Sequence, residues 1–255
     1  MSRRKAPSKG GAGRRRRFGL GLAVGTLAAF VVVRRASASQ RMPNLAVWQR
    51  ALSEKRGETN AARLAALAQD RYEELFAARP SPAMRALRFH VERGILPGLA
   101  VYQTLLEGSS DRQAALAEME SLSVWTLPGA RRLMPLLGHL RDPFPVFRRL
   151  DRWVMRFGFP ADGWQIEPVE DSNDCIAFDI RRCFYLDTLT TYGAPELTPI
   201  YCARDDALFA LLPPSITWER TMTLGRGDDR CDFRWCRAAA KGQVVGPTPG
   251  RRSAS

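Results

Sequence analysis

The first acidic residue of the chain is Glu54. The 53 residues before it carry twelve Lys or Arg and no Asp or Glu, whereas residues 54–255 carry 27 basic and 26 acidic residues. The net charge of +13 therefore belongs almost entirely to the leader, and the remainder is close to neutral. A domain that grips phosphates carries its excess basic charge on the folded body, so this distribution argues against nucleic acid as a partner. The folding unit is expected over residues 54–240, in a chain long enough for one large domain or two small ones. Residues 241–255, rich in Gly, Pro, Ser and Arg, read as a disordered tail.

The leader has its own logic. A basic Gly- and Ser-containing stretch precedes the apolar run Phe18–Val33, and Arg34 and Arg35 follow it directly. The run is short against the ~20 residues of an ordinary membrane span, although flanking Arg side chains can snorkel. The absence of acids together with the wealth of Arg, Ser and Ala fits an organellar transit peptide, with the plastid favoured over the mitochondrion. A single-pass membrane anchor through residues 18–33 and a secretory signal ending near Ala36-Ser37-Ala38 are the alternatives. In each case the segment is set apart from the fold.

From residue 54 to about 160 the apolar pattern is helical. Leu64, Leu67, Ala68, Tyr72, Leu75 and Phe76 recur at helical spacing over 60–78, with Thr59 or Asn60 as cap. Further helices are predicted over 83–93 and 98–107, broken at Gly94, and after an Asp111 cap with Ala115, Leu116, Met119 and Leu122 on one face. After residue 160 the texture changes. "WQIEPV" and "CIAFDI" alternate with a period of two around a polar turn, as do "SITWERTMTL" and "RCDFRWC". Two helical segments lie between these pairs. The fold class is α+β: a helical N-terminal half, then a small antiparallel sheet with intervening helices.

Within the strand pattern Arg220 falls on the apolar face with Ile216, Trp218, Met222 and Leu224. A charge there needs a partner or a ligand anion, because unpaired burial is expensive. The five cysteines, Cys175, Cys183, Cys202, Cys231 and Cys236, are odd in number and lack clustered spacing. They read as a poor disulfide framework and as buried free thiols. His90 and His139 read as helix-face or helix-end residues, and no phosphate-binding glycine loop is present.

The segment from Phe178 to Trp235 resembles the L-2-amino-thiazoline-4-carboxylic acid hydrolase family. The resemblance is carried by Cys183; by Gly193, Pro195, Glu196 and Leu197; by Cys202 with Asp205 and Asp206; and by Arg220, Thr221, Thr223, Gly227, Cys231, Asp232, Phe233 and Arg234. It implies hydrolytic opening of a cyclic, amidine-like thiazoline carboxylate to a carbamoyl-cysteine. That chemistry asks for an anion anchor, an activated water or nucleophile, and a proton donor. Arg220 is the candidate for binding the substrate carboxylate. Asp232 or Asp206 is the candidate base, with the assignment between Asp205 and Asp206 open. Cys183, Cys202 and Cys231 stand as candidate catalytic thiols or as ligands of a divalent metal such as Zn²⁺. Cys231 and Asp232 are expected at a pocket rim, with Asp232 paired to Arg220. The competing readings are a non-catalytic small-molecule-binding domain and a membrane-anchored assembly factor. An enzyme is expected to gather Arg220 with an acid or thiol around one pocket, and an assembly factor to expose an apolar patch on its helical half.

Overall fold

A computed structural model describes residues 41–109, 111–123 and 128–238. The leader through residue 40, with its apolar run, and the tail from residue 239 lie outside these residues. Among the described residues no helix is long and apolar enough to cross a membrane.

The folded body starts earlier than the charge boundary suggests. Helix α1 (Leu45–Arg56) buries Trp48, Ala51 and Leu52, and Met42 just before it is also buried. A boundary at residue 53 or 54 would cut through this helix. The acid-free composition misled here because apolar spacing, not charge, decides whether a segment docks on a core.

Helices α2 (Glu58–Ala78), α4 (Leu96–Ser109) and α5 (Arg112–Ser123) pack with α1 as a helical layer. Its core contains Leu64, Tyr72, Leu99, Tyr102, Met119 and Leu122. The Asp111 cap forms as expected, its carboxylate accepting the Gln113 backbone N–H at 2.9 Å. The break expected at Gly94 does not occur. Instead α3 (Arg85–Phe89) runs through a π-helical turn, His90–Ile95, directly into α4. Pro97 has no N–H to donate, and a widened turn absorbs that defect without ending the helix. The glycines serve close approach. A Cβ at Gly94 would strike the Tyr185 hydroxyl, and one at Gly98 would strike the Tyr201 hydroxyl. Tyr201 donates its O–H to the Ile95 carbonyl at 2.9 Å.

The second half begins with α6 (Pro128–Leu136) and α7 (Phe144–Gly158). Four strands follow: β1 (Gln165–Asp171), β2 (Cys175–Arg182), β3 (Ile216–Glu219) and β4 (Cys231–Arg237). They form one antiparallel sheet in the order β1-β2-β4-β3. Between β2 and β3 lie α8 (Phe184–Thr191) and α9 (Thr198–Phe209). The α+β class is as expected. Ile176, Phe178 and Ile180 of β2 and Phe233 and Trp235 of β4 form a second core with Phe147 of α7. Phe184 and Tyr185 pack against both cores, so α8 is the seam between the helical layer and the sheet.

Cys175 and Cys236 are not free thiols. They face each other in the β2–β4 register with Cα atoms 4.1 Å apart and form a disulfide. Their separation of 61 residues carries no sequence signature, and only the strand register reveals the pair. Cys183, Cys202 and Cys231 are free.

The tyrosine-on-glycine seam yields an expected outcome. Gly98→Ala should destabilise the protein by about 1–3 kcal/mol through overpacking, measured by urea unfolding. Tyr201→Phe should recover part of that loss in the double variant, because the obstructing atom is the hydroxyl. Additive effects of the two changes would contradict this packing account.

Candidate active site

A cavity of about 300 Å³ opens between α7, α9 and the inner face of the sheet. Phe159, Trp164, Phe178, Phe209, Phe233 and Trp235 are among the residues of its wall. A mainly apolar cavity with a few convergent polar groups is the usual form of a small-molecule site.

Arg220 anchors this region. The regular β3 strand ends at Glu219, one residue before it. Its side chain is 2 % exposed and lies over the rings of Trp218 and Phe233, at 5.6 and 5.2 Å. It donates to Asp206 at 2.6 Å, to Asp205 at 3.3 Å and to the Cys202 backbone carbonyl at 2.8 Å. Burial disfavours its charge, but Asp205 and Asp206 outweigh burial and raise its pKa. The demand for an anionic partner was correctly read from the strand pattern. The partner was not: α9 supplies it, rather than Asp232 on the neighbouring strand.

Asp232 instead holds the backbone. One carboxylate oxygen accepts the N–H groups of Thr221 (2.9 Å) and Met222 (2.6 Å), and the other accepts the Thr221 hydroxyl at 2.7 Å. Burial opposes ionisation, yet these bonds hold its pKa below the ordinary 3.8. The carboxylate thus replaces strand pairing for residues 221–222, which is why the expected strand over 215–224 stops short. Asp228 performs the same service for the Thr223 N–H at 2.7 Å, and Gly227 turns the chain at φ 92°. Asp232 is not among the cavity-lining residues, whereas Cys231, on the opposite face of β4, is.

The three free thiols do converge, for Cys183, Cys202 and Cys231 all line the cavity. Burial raises all three, Cys202 to about 12 and Cys231 to about 11. Cys183 precedes α8, and the first-turn amides of Leu186 and Tyr185 pull against its rise. The Cys231 sulfur accepts the Leu224 N–H at 3.2 Å. Among the described residues no group of three or more His, Cys, Asp or Glu is arranged to hold a metal ion. The metal-ligand alternative for Cys183, Cys202 and Cys231 thus has no matching arrangement among the described residues.

Asp205 and Asp206 separate clearly. Asp205 lines the cavity; Asp206 does not, and accepts from Trp218 Nε1 at 3.2 Å as well as from Arg220. The Asp205 side chain is 44 % accessible and lines the cavity. Burial pushes its pKa up to about 6, against the pull of Arg220 and Arg204.

Several cavity residues were not singled out from the sequence, and three of them carry titratable or unpaired polar groups of interest. Arg204, one turn along α9 from Tyr201, lines the cavity, and its buried Nε has no hydrogen-bond partner among the described residues. Asp151 lines it from α7, pushed to about 7 by burial and then by Asp171. Its signal was present: it is the one acid in "FPVFRRLDRWVMRFG", four residues from Phe147 and Met155 on the inward face. Tyr185 is the third, its hydroxyl 3.1 Å from His90 Nδ1. The Gly158 carbonyl, 2.8 Å from Nε2, can only accept, so in the neutral ring that burial favours Nε2 carries the proton and Tyr185 donates to Nδ1.

Asp232→Asn should lower stability by about 1.5–3 kcal/mol, the scale of a charge-assisted hydrogen-bond set, while leaving the cavity groups in place. A carboxylate with a depressed folded pKa stabilises above its unfolded value, and that contribution is lost as pH falls through the folded one. The stability gap between wild type and variant should therefore narrow on acidification below 3.8. Equal stability at pH 7 would show that the loop does not depend on the carboxylate.

No curated protein and no solved structure matches the chain. The sequence model of the L-2-amino-thiazoline-4-carboxylic acid hydrolase family matches residues 88–235. That span runs from α3 to β4, encloses every cavity-lining residue named above and covers more than half of the chain. The chain belongs to the L-2-amino-thiazoline-4-carboxylic acid hydrolase family.

Proposed function

We propose that this chain hydrolyses the ring of a small cyclic amidine carboxylate of the 2-amino-thiazoline-4-carboxylate class, with Asp205 as general base and Arg204 as anion anchor. The carrying observation is Asp205: a carboxylate inside an aromatic cavity, raised to about 6 and adjacent to two guanidinium groups. A base with a pKa near neutrality combines a large deprotonated fraction with useful basicity. Arg204 takes the anchoring role first given to Arg220, because Arg220 already donates to two carboxylates and a carbonyl. At about 300 Å³ the cavity lies at the small end of the usual range for small-molecule sites, which suits a single substituted ring.

In this reading Asp205 takes a proton from water as the water oxygen bonds to the ring carbon of the C=N group. The C=N electron pair moves to the ring nitrogen, which takes that proton from Asp205. The carboxylate then accepts the remaining hydroxyl proton as the oxygen forms a double bond to carbon and the C–S bond breaks, and Asp205 passes this second proton to the leaving sulfur. The product is a carbamoyl-cysteine. Water is preferred over a preformed thiolate because all three thiols are raised by burial. Ionising a thiol of pKa about 11 at pH 7 costs about 5 kcal/mol.

Asp205→Asn should reduce turnover of L-2-amino-thiazoline-4-carboxylate by about 10²–10⁴-fold, and Arg204→Ala should act mainly on KM. Wild-type kcat/KM should fall as pH drops below about 6, since protonation of Asp205 removes the base. Cys183→Ala, Cys202→Ala and Cys231→Ala should each retain turnover. A thiol variant that loses turnover, with a covalent adduct on that sulfur by mass spectrometry in the wild type, would replace water attack by thiol attack. Saturable binding of the thiazoline without turnover would make the cavity a receptor site instead.

A further inference from the structure

Helix α7 has two apolar faces, and the cavity uses only one. Phe144, Phe147 and Met155 point inward with Asp151. Val146, Trp153 and Phe157 recur at i, i+7 and i+11, which places them on one side of a helix. They are 47, 53 and 59 % exposed. Trp153 and Phe157 touch, with ring centroids 5.7 Å apart. Phe89, 55 % exposed, belongs to α3, which packs against α7. Large side chains left in water along one stripe mark a surface that meets something.

The charges around the stripe identify the partner. The exposed flank of α7 carries Arg149, Arg152 and Arg156, and the only acid of the helix, Asp151, faces the cavity. Arg152 is tied to Asp171, whereas no carboxylate lies within ion-pair distance of Arg149 or Arg156 among the described residues. An apolar stripe one or two side chains wide, containing Trp and bordered by Arg, is the pattern of a helix lying in a lipid headgroup layer. Val154 connects this surface to the cavity, being 37 % exposed and also part of the cavity wall.

We infer that the outer face of α7, through Trp153, Phe157 and Val146 with Arg149 and Arg156, docks on an anionic membrane surface beside the cavity. The helix lies in the plane of the surface with its rings reaching the acyl boundary, and does not span the bilayer. This contact is separate from any made by residues 18–33.

The test uses the full chain and vesicles of phosphatidylcholine with or without phosphatidylglycerol, the acyl chains brominated to quench tryptophan fluorescence on contact. Anionic vesicles should quench wild-type emission, and Trp153→Phe should abolish most of that quenching. Neutral vesicles, or anionic vesicles in high salt, should quench little. Trp153→Glu combined with Phe157→Glu should weaken partitioning at least about tenfold with an unchanged melting temperature, since both side chains are exposed. Two results would overturn the inference. One is vesicle binding by the full chain with no quenching that depends on Trp153. The other is a self-associated protein in sedimentation that the double Glu variant turns into a monomer, which would make the stripe an interface between copies.

Discussion

A guanidinium cannot sit among aromatic rings without anions, and the placement of Arg220 over Trp218 and Phe233 organises the cavity-bearing half of this molecule. Its charge requires Asp205 and Asp206 on α9, so that helix must lie against the sheet at this point. Once α9 is fixed there, Cys202, Arg204 and Asp205 fall on the cavity wall together. Arg220 alone of the three is fully buried, so its charge depends on the two partly exposed carboxylates. The two acids then divide the work. Asp206 is consumed by Arg220 and Trp218, which leaves Asp205 facing open cavity space with a raised pKa.

Seen this way, most residues that carry the family resemblance are architectural. Thr221 and Asp232 bond to each other across the loop after β3. Gly227 adopts a left-handed turn, and a Cβ on neighbouring Gly225 would crowd Thr198 and Cys202 of α9. Glu196 accepts the Tyr102 hydroxyl at 2.7 Å and ties the α8–α9 link to the helical layer. Such a motif describes the frame around a cavity more than the groups exposed inside it.

The alternation in β2 and β4 made the sheet legible, and helical spacing made α2 and α5 legible, because both patterns record a single buried face. The same logic exposed Arg220 as a charge on an apolar face, and it would have exposed Asp151 on α7. What stayed hidden depends on contacts between distant segments. The Cys175–Cys236 disulfide exists only through strand register, and the choice of Asp205 over Asp206 depends on how α9 is rotated about its axis. The pairing of Asp232 with the Thr221 and Met222 amides, rather than with Arg220, depends on the path of the chain after β3. The start of the fold near Met42 was masked by a charge pattern that ignores the apolar face of α1.

Under the proposed function, Arg220 holds the frame and Arg204 and Asp205 meet the substrate. A crystal structure of the protein with bound L-2-amino-thiazoline-4-carboxylate, trapped in Asp205→Asn, tests this most directly. The account predicts the ring inside the cavity, its carboxylate on Arg204, its C=N carbon facing residue 205, and Arg220 still bonded to Asp206. A ligand carboxylate seated on Arg220 with α9 displaced, or a ligand bound outside the cavity, would contradict it.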